Sequence, residues 1–122
     1  MKRTILLLIF ILSILSISCD IADKEKQFTL LSSDLTGVDF NNQLNEDDSF
    51  NYFTYPYIYM GGGVSVGDIN NDNLDDIYFT GNMTSNKLYL NKGNLNFEDI
   101  TSTSGTSGDN RWYTGSTMVD VN

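Results

Sequence analysis

The sequence predicts an all-β, turn-rich chain built on a repeated strand unit, and three observations predict it. Runs of β-branched and aromatic residues are separated by clusters of Gly, Asn, Asp and Ser, the pattern of short strands joined by turns. Pro occurs once and Gly ten times in 122 residues, a composition that suits sheets and turns better than long helices. The segment Gly63-Val64-Ser65-Val66-Gly67-Asp68-Ile69-Asn70 returns as Gly115-Ser116-Thr117-Met118-Val119-Asp120-Val121-Asn122. Gly, Asp and Asn recur in register, and Asp120 lies 52 positions after Asp68. A fixed period in that range marks a propeller or solenoid array.

The chain opens with a basic Met1-Lys2-Arg3 and an apolar run from Ile5 to Ile17, broken only by Ser13 and Ser16. That run is shorter than the ~20 residues of a transmembrane helix and fits a signal-peptide core. It ends at Ser18-Cys19, and Cys19 is the single cysteine, so no internal disulfide forms. The junction resembles a bacterial lipoprotein signal (residues 1–18) in which Cys19 becomes the lipidated first residue. The small Ser18 fits that pattern; Ser16 departs from it, since Leu is usual there and Leu15 sits one place further out. An ordinary cleaved signal or an uncleaved anchor are the alternatives. Residues 19–27 then read as a charged tether. The resemblance implies a bacterial cell envelope location, lipid-anchored at the outer membrane or cell surface.

Residues 28–60 form a lead-in segment. Phe28 to Leu31 and Thr36 to Phe40 read as short strands, and Asn41 to Ser49 as an acidic loop. Tyr55, Tyr57 and Tyr59 alternate as one face of a strand would. Such rings either stack on sugars or pack the lead-in against the repeat, and the area that aromatics bury favours packing. Arg111-Trp112-Tyr113 carries the same two readings, a partner contact or a filler between repeats.

The most specific motif is Asp68-Ile69-Asn70-Asn71-Asp72-Asn73-Leu74-Asp75-Asp76. Side-chain oxygens fall at its first, third, fifth and ninth positions, Asp68, Asn70, Asp72 and Asp76, and Leu74 offers its backbone carbonyl at the seventh. Ca²⁺ takes six to eight oxygens at ~2.3–2.6 Å, and alternate loop positions turn inward together. An EF-hand needs Gly at position six and Glu at position twelve; this loop has Asn73 and Phe79. A dockerin-type loop runs into a helix, whereas Ile77-Tyr78-Phe79-Thr80 reads as a strand ended by Gly81-Asn82. The order is therefore strand, cation loop, strand. Asn73 suits a tight loop because Asn visits left-handed backbone more readily than most residues. A solvated polar turn is the plainer alternative.

Residues Gly63 to Asn82, with Lys87-Leu88-Tyr89-Leu90-Asn91-Lys92-Gly93 and Phe97-Glu98-Asp99-Ile100-Thr101, resemble an FG-GAP/VCBS repeat, the blade unit of certain β-propellers. The variant is similar to those of bacterial ASPIC/UnbV-associated proteins. The resemblance implies a first repeat over residues 61–114 and the start of a second, cut short, over 115–122. It implies Ca²⁺ held by Asp68, Asn70, Asp72, Leu74 and Asp76, and a second metal loop begun by Asp120 and Asn122. It departs from the family at Asn73, where Gly is usual. Since one blade cannot cover both faces of its own sheet, the sequence reads as the N-terminal fragment of a longer propeller.

The net charge of −9 leaves no basic stripe to follow phosphates, which argues against a nucleic-acid partner. The chain holds no His, so nucleophile–base pairs built on His are excluded. The expected function is non-catalytic binding of an unidentified protein or glycan, with the membrane reached through the lipid anchor. The alternative is a propeller-based carbohydrate-active enzyme whose catalytic residues lie mainly beyond this segment; Glu46, Asp47 and Asp48 are the carboxylates it would draw on here. Asn82-Met83-Thr84 matches a glycosylation sequon, better explained as the turn after a strand.

Overall fold

The computed structural model describes residues 27–109 and 111–121. The signal segment, Cys19, most of the tether and Asn122 lie outside them. Residues 31–122 form one compact unit. Its centre is a four-stranded antiparallel sheet in the order β1 (Val64–Gly67), β2 (Asp76–Phe79), β3 (Lys87–Asn91), β4 (Phe97–Asp99). Single helical turns stand before and after it, α1 (Ser33–Thr36) and α2 (Thr101–Ser104). This meander of four short strands is the all-β blade that the sequence predicts.

Register assigns the two faces. Ser65 pairs with Tyr78 and Tyr78 with Leu88; Val66 pairs with Ile77 and Ile77 with Tyr89. Side chains alternate along a strand, so Ser65, Tyr78 and Leu88 share one face and Val66, Ile77 and Tyr89 the other. The lead-in covers the second face. Phe40 stacks on Phe79 with ring centroids 4.9 Å apart, and Phe79 meets Tyr89 edge-on at 5.9 Å. The Tyr89 hydroxyl donates to Asp39 Oδ1 at 2.6 Å. Burial first, and then that hydrogen bond, push the Tyr89 phenol well above its ordinary range. The chain after the blade covers the first face: Tyr78 donates to the Thr106 carbonyl at 2.9 Å, and the Ser65 and Ser116 hydroxyls meet at 2.7 Å.

The segment after the blade is aligned with its counterpart in the sequence repeat. A Cβ on Gly63 would lie 2.5 Å from the Ser116 nitrogen, and one on Gly67 3.1 Å from the Met118 sulfur. Glycine at 63 is thus required by backbone approach. Residues 115–121 form no ladder with β1, so the predicted strand of a second repeat is present as position, not as pairing. Positions about one repeat apart nevertheless stand side by side.

The buried residues are mostly polar. Tyr89, Ile58 and Leu88 are the buried hydrophobics among the described residues, while Asp76, Asn86, Thr80, Asn82, Ser65, Thr36 and Thr101 are buried with them. Such groups need partners. Asn86 accepts the Gly81 N–H and donates to the Tyr78 hydroxyl, both at 2.9 Å. Asn82 exchanges hydrogen bonds with Asn42 at 2.6 and 2.9 Å and donates to the carbonyls of Gly61 and Tyr113. The Asn82 amide therefore joins lead-in, blade and the following segment, more than the turn after a strand that the sequence suggests. Thr101 Oγ1 accepts the Leu88 N–H at 2.9 Å.

Three expectations change. Phe28 to Leu31 and Thr36 to Phe40 form no strands. Thr36 bonds back to the Ser32 carbonyl through both its N–H and its hydroxyl, closing α1. Gly37 then ends that turn at φ 77°, where a Cβ would lie 2.3 Å from the Phe97 carbonyl oxygen. The run holding Tyr55, Tyr57 and Tyr59 is a series of turns. Asn51 starts them, since its side chain accepts the Phe53 N–H at 2.9 Å and its carbonyl accepts the Tyr55 N–H at 2.8 Å. A local Asn bond of this kind outcompetes a ladder that has no neighbouring strand. Trp112, open between two readings, packs edge-on against Phe50 and Tyr55 at 5.6 and 5.5 Å, on the lead-in, a place that neither reading gave it.

Tyr89→Phe removes the bond to Asp39 while keeping the ring. We expect a loss of about 1–2 kcal/mol in urea unfolding, with the sheet's far-ultraviolet signal unchanged. A loss below a few tenths would mean that Asp39 does not clamp the lead-in.

Candidate metal centre

The loop from Asp68 to Leu74 joins β1 to β2 and is already wrapped. Asp68 Oδ1 accepts the N–H groups of Asn70 and Asp72, each at 3.2 Å, and Oδ2 accepts that of Asn73 at 2.8 Å. Asp72 accepts the Leu74 N–H at 2.8 Å and the Asn70 side-chain amide at 2.9 Å. Asn71 and Asn73 lie in the left-handed region at φ 59° and 64°. The expected tolerance of Asn73 is thus seen directly: Asn takes there the conformation for which Gly is usual.

Burial acts to raise the Asp68 carboxyl, but the N–H groups of Asn73, Asp72, Asn70 and Asn71 outweigh it and hold its pKa below the ordinary value. A carboxylate kept ionised at the first position of the loop is the electrostatic condition a hard cation needs.

Asp76 differs from the other candidates. It is fully buried at the start of β2. Its Oδ2 accepts the Ile69 N–H at 2.9 Å and its Oδ1 the Asn91 N–H at 2.7 Å. It ties the loop's entrance to the end of β3, and the Asn91 side chain repeats the tie by donating to the Asp75 carbonyl at 2.9 Å. The sequence marked Asp76 as a loop position; its partner Asn91 was missed. Asn closing a strand just before Gly93 was the available signal, because the Gly93 N–H bonds to that side chain at 2.9 Å.

The donor set suits Ca²⁺ chemically, since it is all oxygen and a carboxylate has about four lone-pair sites, of which Asp76 uses two on N–H groups. The loop gathers Asp68, Asn70, Asp72 and the half-buried Leu74, with Asp76 at its exit. Among the described residues no group of three or more carboxylates stands close enough to hold a metal by itself. Asp120 is exposed and shares with Asp68 a groove of about 510 Å³, also lined by Asn71 and Met118. Asn122 lies outside the described residues.

The acidic run beside the lead-in turns is engaged structurally. Asp47 accepts the Ser49 hydroxyl and the N–H groups of Ser49 and Phe50 at 2.6–2.8 Å, and these lower its pKa, Ser49 most. Glu46 accepts the Tyr59 hydroxyl. At the far edge of the blade Lys87 pairs with Asp99. Partial burial would raise Asp99, but Lys87 and Thr101 bring it down to about 2.

Asp76→Ala leaves two N–H groups without their acceptor and should cost roughly 3 kcal/mol. Asp76→Asn keeps one acceptor and should fall between Ala and the parent. An Asn variant as stable as the parent in chemical unfolding would show that the carboxylate's second oxygen holds nothing. A second expectation concerns acid. Asp68 and Asp99 both titrate below their ordinary 3.8. Their stabilisation is complete above that value and is lost as pH falls, for Asp99 through about 2. Unfolding midpoints should be level above pH 5 and drop below pH 4; a midpoint rising on acidification would contradict both assignments.

Residues 68–122 match the family model of the FG-GAP-like repeat. The match opens on Asp68, the first residue of the loop, and runs through β2, β3 and β4 to the end of the second glycine-to-Asp segment. No curated protein and no solved structure matches the chain. The match, with the four-stranded antiparallel blade, supports an FG-GAP repeat protein.

Proposed function

We propose that the protein is a calcium-binding β-propeller module, non-catalytic, anchored to the bacterial envelope through lipidated Cys19, that holds a protein or glycan partner. The observation that carries this reading is the wrapped loop: a depressed Asp68 carboxylate accepting successive N–H groups while Asn71 and Asn73 make the reversals. The loop is wrapped by its own hydrogen bonds, so less ordering entropy would oppose the binding of a cation.

Asp68, Asn70, Asp72, Asp76 and the Leu74 carbonyl would hold the ion. When bound, Ca²⁺ would supply positive charge to an acidic loop. The chain's own share is to keep Asp68 ionised, to hold Asp76 by the Ile69 and Asn91 N–H groups, and so to fix β1 against β2. The similarity to ASPIC/UnbV-associated lipoproteins, with the Ser18-Cys19 junction, supports the envelope location. An FG-GAP repeat supports a propeller-like binding role.

Extracellular calcium modules bind in the range of about 10⁻⁴–10⁻³ M. At about ten times such a Kd, Ca²⁺ should raise the melting temperature by roughly 5–10 °C, Mg²⁺ by much less, and chelator should reverse the gain. Asp72→Asn should shrink it without altering the melt in chelator. A melting temperature indifferent to Ca²⁺ would overturn the proposal.

A further inference from the structure

The lead-in turns present a patch that the calcium loop does not use. Phe53 is 92% exposed, Tyr59 63%, Tyr57 60% and Tyr52 52%. Isolated exposed rings are ordinary, but several on one short segment mark an interaction surface. Tyr52 contacts both Phe53 and Tyr59, at 6.0 and 6.2 Å between centroids, and Tyr57 meets Tyr55 at 5.9 Å. The rings sit on a fixed base. Asn51 and Asp47 pin the turns beneath them by hydrogen bonds, and Tyr55 and Phe50 pack on Trp112. Exposed aromatics on a hydrogen-bonded base lose little freedom when a partner arrives.

Charge selects the partner. Glu46 is exposed beside the rings and accepts the Tyr59 hydroxyl, and Asp48, also exposed, follows two residues on in the chain. No Lys or Arg occurs between Gln27 and Asn86. Rings with a carboxylate at their border and no basic residue nearby in the chain suit a guanidinium or ammonium group, which takes the ring face by cation–π attraction and the carboxylate by ion pairing. An anionic lipid surface would be repelled, and a neutral glycan would draw no advantage from the acids.

We propose that Tyr52, Phe53, Tyr57 and Tyr59, with Glu46 at Tyr59, dock an arginine- or lysine-bearing segment of a partner polypeptide. This deepens the binding-module reading and rests on it, but not on the metal.

The test is fluorescence anisotropy of a labelled peptide of alternating arginine and glycine, titrated with the whole chain. Its counterpart with citrulline in place of arginine is the control. We expect the arginine peptide to bind, the citrulline peptide to bind at least about tenfold more weakly, and the chain carrying Phe53→Ala and Tyr57→Ala to lose about tenfold in affinity. That variant should keep its melting temperature and its response to Ca²⁺, so a failed shelf and a failed calcium loop give different results. Absence of peptide binding, equal affinity in the variant, capture of a neutral oligosaccharide instead, or self-association removed by the same two substitutions would each overturn the proposal.

Discussion

A buried carboxylate must find partners for its oxygens, and the blade is arranged around one. Asp76 is fully buried, and its two oxygens accept N–H groups from the loop at Ile69 and from β3 at Asn91. Charge-assisted bonds of this kind are about twice as strong as neutral ones. They bring together three chain segments separated by turns, at the corner where β1, β2 and β3 meet. The shape of the loop follows, because Asp68 can collect the N–H groups of Asn70, Asp72 and Asn73 only if Ile69 is held at one end and β2 begins at the other.

The rest of the interior repeats this logic with neutral amides. Asn82 and Asn86 are as buried as the core hydrophobics; Asn82 joins segments that no ladder connects, and Asn86 closes the turn between β2 and β3. Buried polar networks are specific when every member is satisfied, because any other arrangement strands a donor or acceptor. This accounts for a small domain with few buried hydrophobics whose connections are nevertheless fixed. It also separates scaffold from surface: the side chains that hold the blade are amides, hydroxyls and one carboxylate turned inward, while Asp68, Asp72, Tyr57 and Phe53 are exposed on loops and turns.

Both faces of the sheet draw on chain outside it. Phe40 and Asp39 reach one face, and Thr106 and Ser116 the other. Val64 and Val66 remain more than half exposed on the lead-in face. The approach of Ser116 and Met118 to β1 places the two similar Gly-to-Asn segments of the sequence beside each other.

The sequence by itself determined the elements whose signals are local. Alternation gave β1, a β-branched and aromatic run gave β2, the family resemblance gave β3 and β4, glycines and Asn-rich clusters gave the turns, and the oxygen spacing from Asp68 to Asp76 gave the loop, because strand propensity and turn chemistry act within a few residues. The same reasoning read the lead-in as strands, and there it failed. Thr36 and Asn51 bond to their own neighbours in the chain, while Phe40 and Tyr55 find their partners in Phe79 and Trp112, far along it. Only the tertiary structure decided that Asp76 is a buried clasp, that Asn82 is a junction and more than a turn, and that the aromatic run is half packed and half displayed. Burial and hydrogen-bond partnership depend on residues distant in sequence, and an Asn in a turn reads the same whether it meets water or two carbonyls.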